Sequence, residues 1–313
     1  MDKEMEFKTK GVNYAAIDIG SNAVRLLIKH LEENQKGEVK FSKVLLLRVP
    51  LRLGFDVFSK NKISSKRAKN MLRLMKSYSY LMKIYDVKDY RACATSAMRD
   101  SKNGPEIIKR IAKETGIQIE IIDGQEEAKI VYNNHVESME DRKGNYMYVD
   151  VGGGSTEINL LSNGQLVCSR SYNIGTVRIL NNAVKPEEWE RLKGDMNELA
   201  QSYPNTNIIG SGGNINKLYR MSEKKDKKNQ RFTVTSLQQL HNDLKQYSVA
   251  ERMEKFNLKP DRADVIVPAG DIFLTIAEII HATYIYVPVI GLADGVIDGI
   301  YLRNKWKALA NED

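Results

Sequence analysis

Cysteine is nearly absent from this chain, and its few copies are badly placed for chemistry. The 313 residues hold two cysteines, two tryptophans, four histidines and seven prolines. Cys93 and Cys168 lie far apart in apolar, strand-like runs. That spacing excludes a disulfide framework and a cysteine-type zinc site, and it leads us to expect buried thiols in a reducing cytoplasm. The histidines, His30, His135, His241 and His281, include no His-Asp pair. Long hydrophobic runs are missing too. The most apolar stretch, residues 272–290, is broken by Glu278, His281 and Pro288, so it reads as a buried helix and a strand and not as a membrane span. Residues 1–10 alternate charges around no apolar core, so no signal peptide is expected. Acidic excess is also lacking, since 48 Lys and Arg stand against 40 Asp and Glu, for a net charge of +8 and a pI near 9.2. Such a balance favours anionic partners: phosphorylated small molecules, polyphosphate or nucleic acid.

Glycine, by contrast, is concentrated at informative places. Residues 146–151 form a short aromatic and β-branched run, the pattern of a buried strand, yet it carries Asp150. Gly152, Gly153 and Gly154 follow, and residues without Cβ let backbone N–H groups approach a ligand closely. Ser155 and Thr156 add hydroxyls, and Glu157 returns a second carboxylate. Two carboxylates flanking an anion-binding turn suit a divalent cation held against phosphate. Residues 14–28 repeat the design, with Asp18 at the strand end and Gly20, Ser21 and Asn22 in the turn. A third glycine turn lies at Gly210-Ser-Gly-Gly-Asn214. This internal repeat predicts two similar lobes facing each other across a cleft.

Strand patterns at 14–19, 24–31 and 39–49 precede helical spacing over 61–85, a strand at 90–94, a helix at 105–114, a strand at 117–122 and a helix from 125 to 137. The second half restarts with strands at 146–150, 157–161 and 166–172, followed mainly by helices, a last strand at 283–287 and a terminal helix from 291. Alternation of this kind argues for an α/β layer architecture. Gly124 is the expected hinge. The run 223–231, with Lys224, Lys225, Lys227, Lys228 and Arg231, is the densest basic patch. It reads either as a solvated loop or as a docking strip for a long polyanion.

Together, Asp18-Ile-Gly-Ser-Asn22, Ala94-Thr-Ser-Ala-Met-Arg99, Gly124-Gln-Glu-Glu-Ala128, Asp150-Val-Gly-Gly-Gly-Ser-Thr-Glu157 and Gly210-Ser-Gly-Gly-Asn214 resemble the motifs of the exopolyphosphatase and guanosine pentaphosphate phosphohydrolase family. The resemblance implies an α/β fold of two ribonuclease-H-like lobes around a central cleft, as in the acetate and sugar kinase, heat-shock chaperone and actin superfamily. It implies the short two-domain form: residues 1–124 as the first lobe, 125–298 as the second with helical insertions, and helix 299–313 packed back on the first.

The same resemblance assigns roles. Glu127 matches the glutamate that orients the attacking water, Arg99 a phosphate-gripping arginine, and Asp150 and Glu157 the cation and water positions, with Asp18 a further candidate for the metal. Gly20, Ser21, Asn22, Gly153, Gly154, Ser155, Thr156, Gly212, Gly213 and Asn214 are the expected phosphate-binding residues. The implied activity is release of terminal orthophosphate from polyphosphate with Mg²⁺ or another divalent cation. Hydrolysis of guanosine pentaphosphate is the alternative, ahead of an ATP-dependent phosphotransferase or a non-catalytic alarmone or polyphosphate sensor. The implied partners are polyphosphate or a phosphorylated guanosine nucleotide, with no specific nucleic acid and no membrane, and with room for a homodimer. Two departures stand out: Ala293-Asp294 where many members carry Arg-Glu, and Arg25 where histidine is common.

Overall fold

The computed structural model describes residues 11–33, 39–137, 143–288 and 291–309; the first ten residues and 310–313 lie outside them. Eleven strands form two sheets among the described residues. The first sheet comprises β1 (Val12–Ile19), β2 (Val24–Glu33), β3 (Val39–Val49), β4 (Val87–Ala94) and β5 (Ile119–Ile121), in the order β3-β2-β1-β4-β5. The second comprises β6 (Asn145–Val151), β7 (Thr156–Ser162), β8 (Gln165–Tyr172), β9 (Asn207–Ser211), β10 (Arg231–Thr233) and β11 (Tyr284–Tyr286), in the order β10-β11-β9-β6-β7-β8. In both, three antiparallel strands come first and a parallel strand then adds beside the first of them. The sequence repeat is therefore a repeat of topology.

Strand alternation decides what each lobe buries. Ala15, Ile17 and Ile19 of β1 join a core with Met71, Leu72, Met75 and Tyr78 of helix Ser65–Ile84, while Tyr14 and Ala16 face a separate cluster built by Leu292, Val296, Ile297 and Ile300 of helix Leu292–Leu309. In the second lobe Met147, Val149 and Val151 of β6 pack into the largest core, with helices Pro186–Ser202 and Ile266–Ile279. Asp18 shares the face of Tyr14 and Ala16, and Asp150 that of Tyr148. Both aspartates thus lie on the sheet faces opposite the main cores.

Helix Gly124–Glu137 links the lobes and crosses helix Leu292–Leu309 closely. At the crossing a Cβ on Gly295 would stand 2.4 Å from the Ile130 carbonyl oxygen, so only glycine permits this approach. Gly124, the expected hinge, is also closely packed: a Cβ there would meet Ser171 Oγ at 2.2 Å. Some elements differ from the sequence expectation, among them the short helix Ser96–Arg99 and strand β9. Helix Leu53–Lys60 precedes the long one; it starts after Arg52, whose φ is 54°, with no side-chain cap to announce it. Strand β10 starts at the last residue of the basic run, Arg231, through its pairing with β11, a partner some fifty residues on in the chain. Among the described residues no helix is long and apolar enough to cross a membrane.

Candidate active site

The three glycine turns converge. One cavity of about 500 Å³ is lined by Gly20, Ser21 and Asn22, by Gly152, Gly153 and Ser155, and by Gly212, Gly213 and Asn214. The first two turns touch: a Cβ on Gly153 would lie 2.9 Å from the Ser21 Cβ. Each turn is closed by its own backbone, Gly20 N–H donating to Ala23 O at 3.1 Å and Gly152 N–H to Ser155 O at 2.9 Å. The third opens helix Gly213–Met221 after Gly212, whose φ of 94° suits glycine, and a Cβ there would strike Asp150 Oδ1 at 2.6 Å.

Five carboxylates line the same cavity: Asp18, Glu127, Asp150, Glu157 and, late in the chain, Asp294. Asp150 and Glu157 are register partners across β6 and β7, so their side chains share one sheet face. Glu127 comes from the first turn of helix Gly124–Glu137, which rests on β7 and β8. Asn159, two residues along β7 from Glu157, fixes that helix by donating from Nδ2 to the Ala128 carbonyl at 2.8 Å. Ser171 of β8 donates to Glu157 Oε1 at 3.0 Å. Among the described residues, Glu127 Oε2 is buried with no hydrogen-bond partner.

Burial pushes the Glu127 carboxyl well above the usual range, and the charges of Glu157, Asp150 and Asp18 push the same way. Burial likewise raises Glu157 to about 7 and Asp150 to about 6. Like charges crowded at a buried site resist ionisation, and a cation or protons relieve them. Among the described residues, however, no three Asp, Glu, His or Cys side chains converge on one metal point. The donor set suits an ion that takes one or two carboxylates and completes its shell with phosphate oxygen and water, as Mg²⁺ does. It does not form a closed cage of Asp18, Asp150 and Glu157. Asp18 is also engaged by Arg25, its register partner on β2.

Three expected residues do not line the cavity. Thr156 is fully buried and its Oγ1 donates to the Ile174 carbonyl at 2.6 Å. Gly154 lies behind the turn, where a Cβ would meet Ser96 Oγ at 2.3 Å and the Phe58 ring at 2.4 Å. Arg99 ends helix Ser96–Arg99 and donates from Nη1 to the Ile122 carbonyl at 2.7 Å, bracing the strand exit that leads to Glu127. Its charge still eases the ionisation of Glu127 and Glu157.

The structure adds a basic wall that motif reading did not find. Arg25, Lys43, Arg48, Lys217, Arg220, Lys259 and Arg262 all line the cavity. Arg262 lies against Gly213, whose Cβ would sit 2.2 Å from its Nη2, and donates to the neutral Asn214 Oδ1. Burial depresses its pKa, and the guanidiniums of Arg48 and Arg25 add to the effect. An arginine keeps its proton, so an anion is what relieves this site. At the departure from the usual pattern, Asp294 pairs with Lys29 at 2.8 Å.

Comparison with known proteins gives the following. The family model described as "Ppx/GppA phosphatase family" matches residues 33–304. A bifunctional 3-dehydroquinate synthase/phosphatase of Fusobacterium nucleatum is 32% identical over 284 residues, 83% of this chain, and the chain spans 42% of that protein's length. A putative exopolyphosphatase of Haemophilus influenzae is 25% identical over 298 residues, 90% of each chain. Among solved structures, the Aquifex aeolicus member of the Ppx/GppA family superposes with a TM-score of 0.74 at 28% identity, covering 94% of this chain and 99% of its own.

Proposed function

Because the chain belongs to the Ppx/GppA phosphatase family, we propose that it is a divalent-cation-dependent phosphohydrolase that releases terminal orthophosphate from inorganic polyphosphate. Glu127 carries this reading: its Oε2 is buried, without a partner among the described residues, on the wall that the three glycine turns share. A carboxylate so placed accepts a hydrogen bond from water and takes its proton as the water attacks the outermost phosphorus. The anhydride P–O bond breaks, and the shortened chain leaves with the bridging oxygen. Phosphoryl transfer asks for little covalent work from a protein beyond alignment and charge neutralisation.

The residues divide those tasks. Gly20–Asn22, Gly152, Gly153 and Ser155 cradle the terminal phosphoryl group, and Arg262 with Asn214 and Gly213 holds phosphates further along. Asp150 and Glu157 would hold the cation, with Asp18 in reserve through Arg25. When bound, the cation supplies charge neutralisation on the phosphate oxygens. Burial and the neighbouring carboxylates favour the protonated form of Glu127, and positive charge from a bound cation, added to that of Arg99, would favour the carboxylate that acts as base.

The test is orthophosphate release with Mg²⁺ from polyphosphates of several lengths, guanosine pentaphosphate and ATP. Release from polyphosphate, abolished by chelator, is the expected result. Turnover of guanosine pentaphosphate alone would move the substrate to the nucleotide. Transfer from ATP only in the presence of an acceptor would make the protein a kinase, and binding without turnover would make it a sensor.

A further inference from the structure

We propose that helix Gly213–Met221 and the basic turn after it form a track along which the trailing end of a long linear polyphosphate leaves the cavity. The inference rests on the polyphosphate reading of the site. Gly213, Asn214, Lys217 and Arg220 recur on one side of this helix, and all four line the cavity. At a rise of about 1.5 Å per residue, the wall therefore follows the helix for about 10 Å. Lys259 and Arg262 line the cavity with them. Among the described residues none of Lys217, Arg220, Lys259 and Arg262 pairs with a carboxylate.

The basic turn begins where that wall ends. Lys225 Nζ donates to the carbonyls of Arg220 and Ser222, each at 2.7 Å, so the turn is tied to the helix terminus. It is a built structure. Tyr219 Oη donates to the Asp226 carbonyl at 3.2 Å, Asn229 binds both Asp226 oxygens, and Arg231 pairs with Asp226 while lying over the rings of Tyr284 and Tyr286. Asp226 is thus consumed inside the turn. Lys224, Lys227 and Lys228 stay exposed and, among the described residues, make no ion pair. Lys217 and Arg220 of the cavity wall are thus followed along the chain by the exposed Lys224, Lys227 and Lys228, with the exposed Glu223 among them. A short chain ends inside the cavity; a long one must come out, and this wall offers its phosphates successive cations.

The experiment uses the Glu127→Gln protein, which should bind without turnover, titrated with tripolyphosphate and with long-chain polyphosphate. A variant carrying Lys224→Ser, Lys227→Ser and Lys228→Ser is compared with a control carrying Lys66→Ser, Lys69→Ser and Lys109→Ser, which loses the same charge elsewhere. The track variant should weaken long-chain binding by about 10-fold, flatten its salt dependence, and leave tripolyphosphate within about twofold. The control should do neither. Equal weakening at both lengths, an equal loss in the control, or no long-chain binding at all would overturn the track. A parallel release assay on the wild type keeps the issues separate: no phosphate from any polyphosphate there defeats the proposed activity, whatever the binding comparison shows.

Discussion

Single residues carry the sharpest consequences, because burial has made them expensive. Asp150 and Glu157 hold protons up to about 6 and about 7, well above the ordinary carboxylate range. Their folded values exceed their unfolded ones, so the native state binds more protons between about pH 4 and 7, and stability falls as pH rises through that window. Thermal unfolding in chelator should therefore show a Tm that drops between pH 5 and pH 8, and Mg²⁺ should restore part of it at pH 8. A Tm that rises over the same range would contradict the electrostatics described. Replacing Glu127 by glutamine removes a charge the pocket resists, so Glu127→Gln should gain about 1–3 kcal/mol of stability at pH 8 in denaturant titration. Residue identity was partly legible from sequence: the carboxylates stood at strand ends beside glycines. Thr156 alternates with Glu157 along β7, so period 2 already turns it away from the cavity and toward the core. Arg262 could not be found, since one arginine among 48 basic residues carries no signal until Gly213 is seen beside it.

Elements decide where those residues meet. Glu127 depends on how helix Gly124–Glu137 sits between β7 and helix Leu292–Leu309, and two contacts define that seat. Asn159 holds Ala128 from below, and Gly295 lets Ile130 come close from the other side. Gly295→Ala should push the crossing helices apart, costing about 1–3 kcal/mol and lowering kcat more than it raises KM. Asn159→Leu should lower kcat and also shift the acidic limb of the pH profile, since it frees the helix that carries the base. Unchanged kinetics in both would mean the helix position does not matter. At this scale the strand-turn-strand repeats were readable because glycine and aspartate punctuate apolar runs. The crossing was not: Gly295 looks like any helical glycine in sequence, and its reason lies in a segment far away in the chain.

The whole molecule is two similar lobes with their chemistry on the facing sides. Ion pairs bridge them on both flanks, Arg48 and Arg52 to Asp261 and Asp264, and Arg178 to Asp100. Asn22 adds a bond from Nδ2 to the Asp261 carbonyl at 3.0 Å. Arg48 also lines the cavity, so a phosphate chain there competes with Asp261 for its guanidinium. Asp261→Asn should therefore alter KM for polyphosphate while leaving the fold intact by circular dichroism. The two-lobe plan was legible from the duplicated motif, but the basic wall that both lobes complete exists only after they are brought together. The account stands on Glu127 as the group that activates water. The direct measurement is single-turnover phosphate release from polyphosphate, wild type against Glu127→Gln, at saturating Mg²⁺ and matched substrate occupancy. A rate lowered by about 10²–10⁴-fold with binding retained is the predicted result; an undiminished rate in the variant contradicts it.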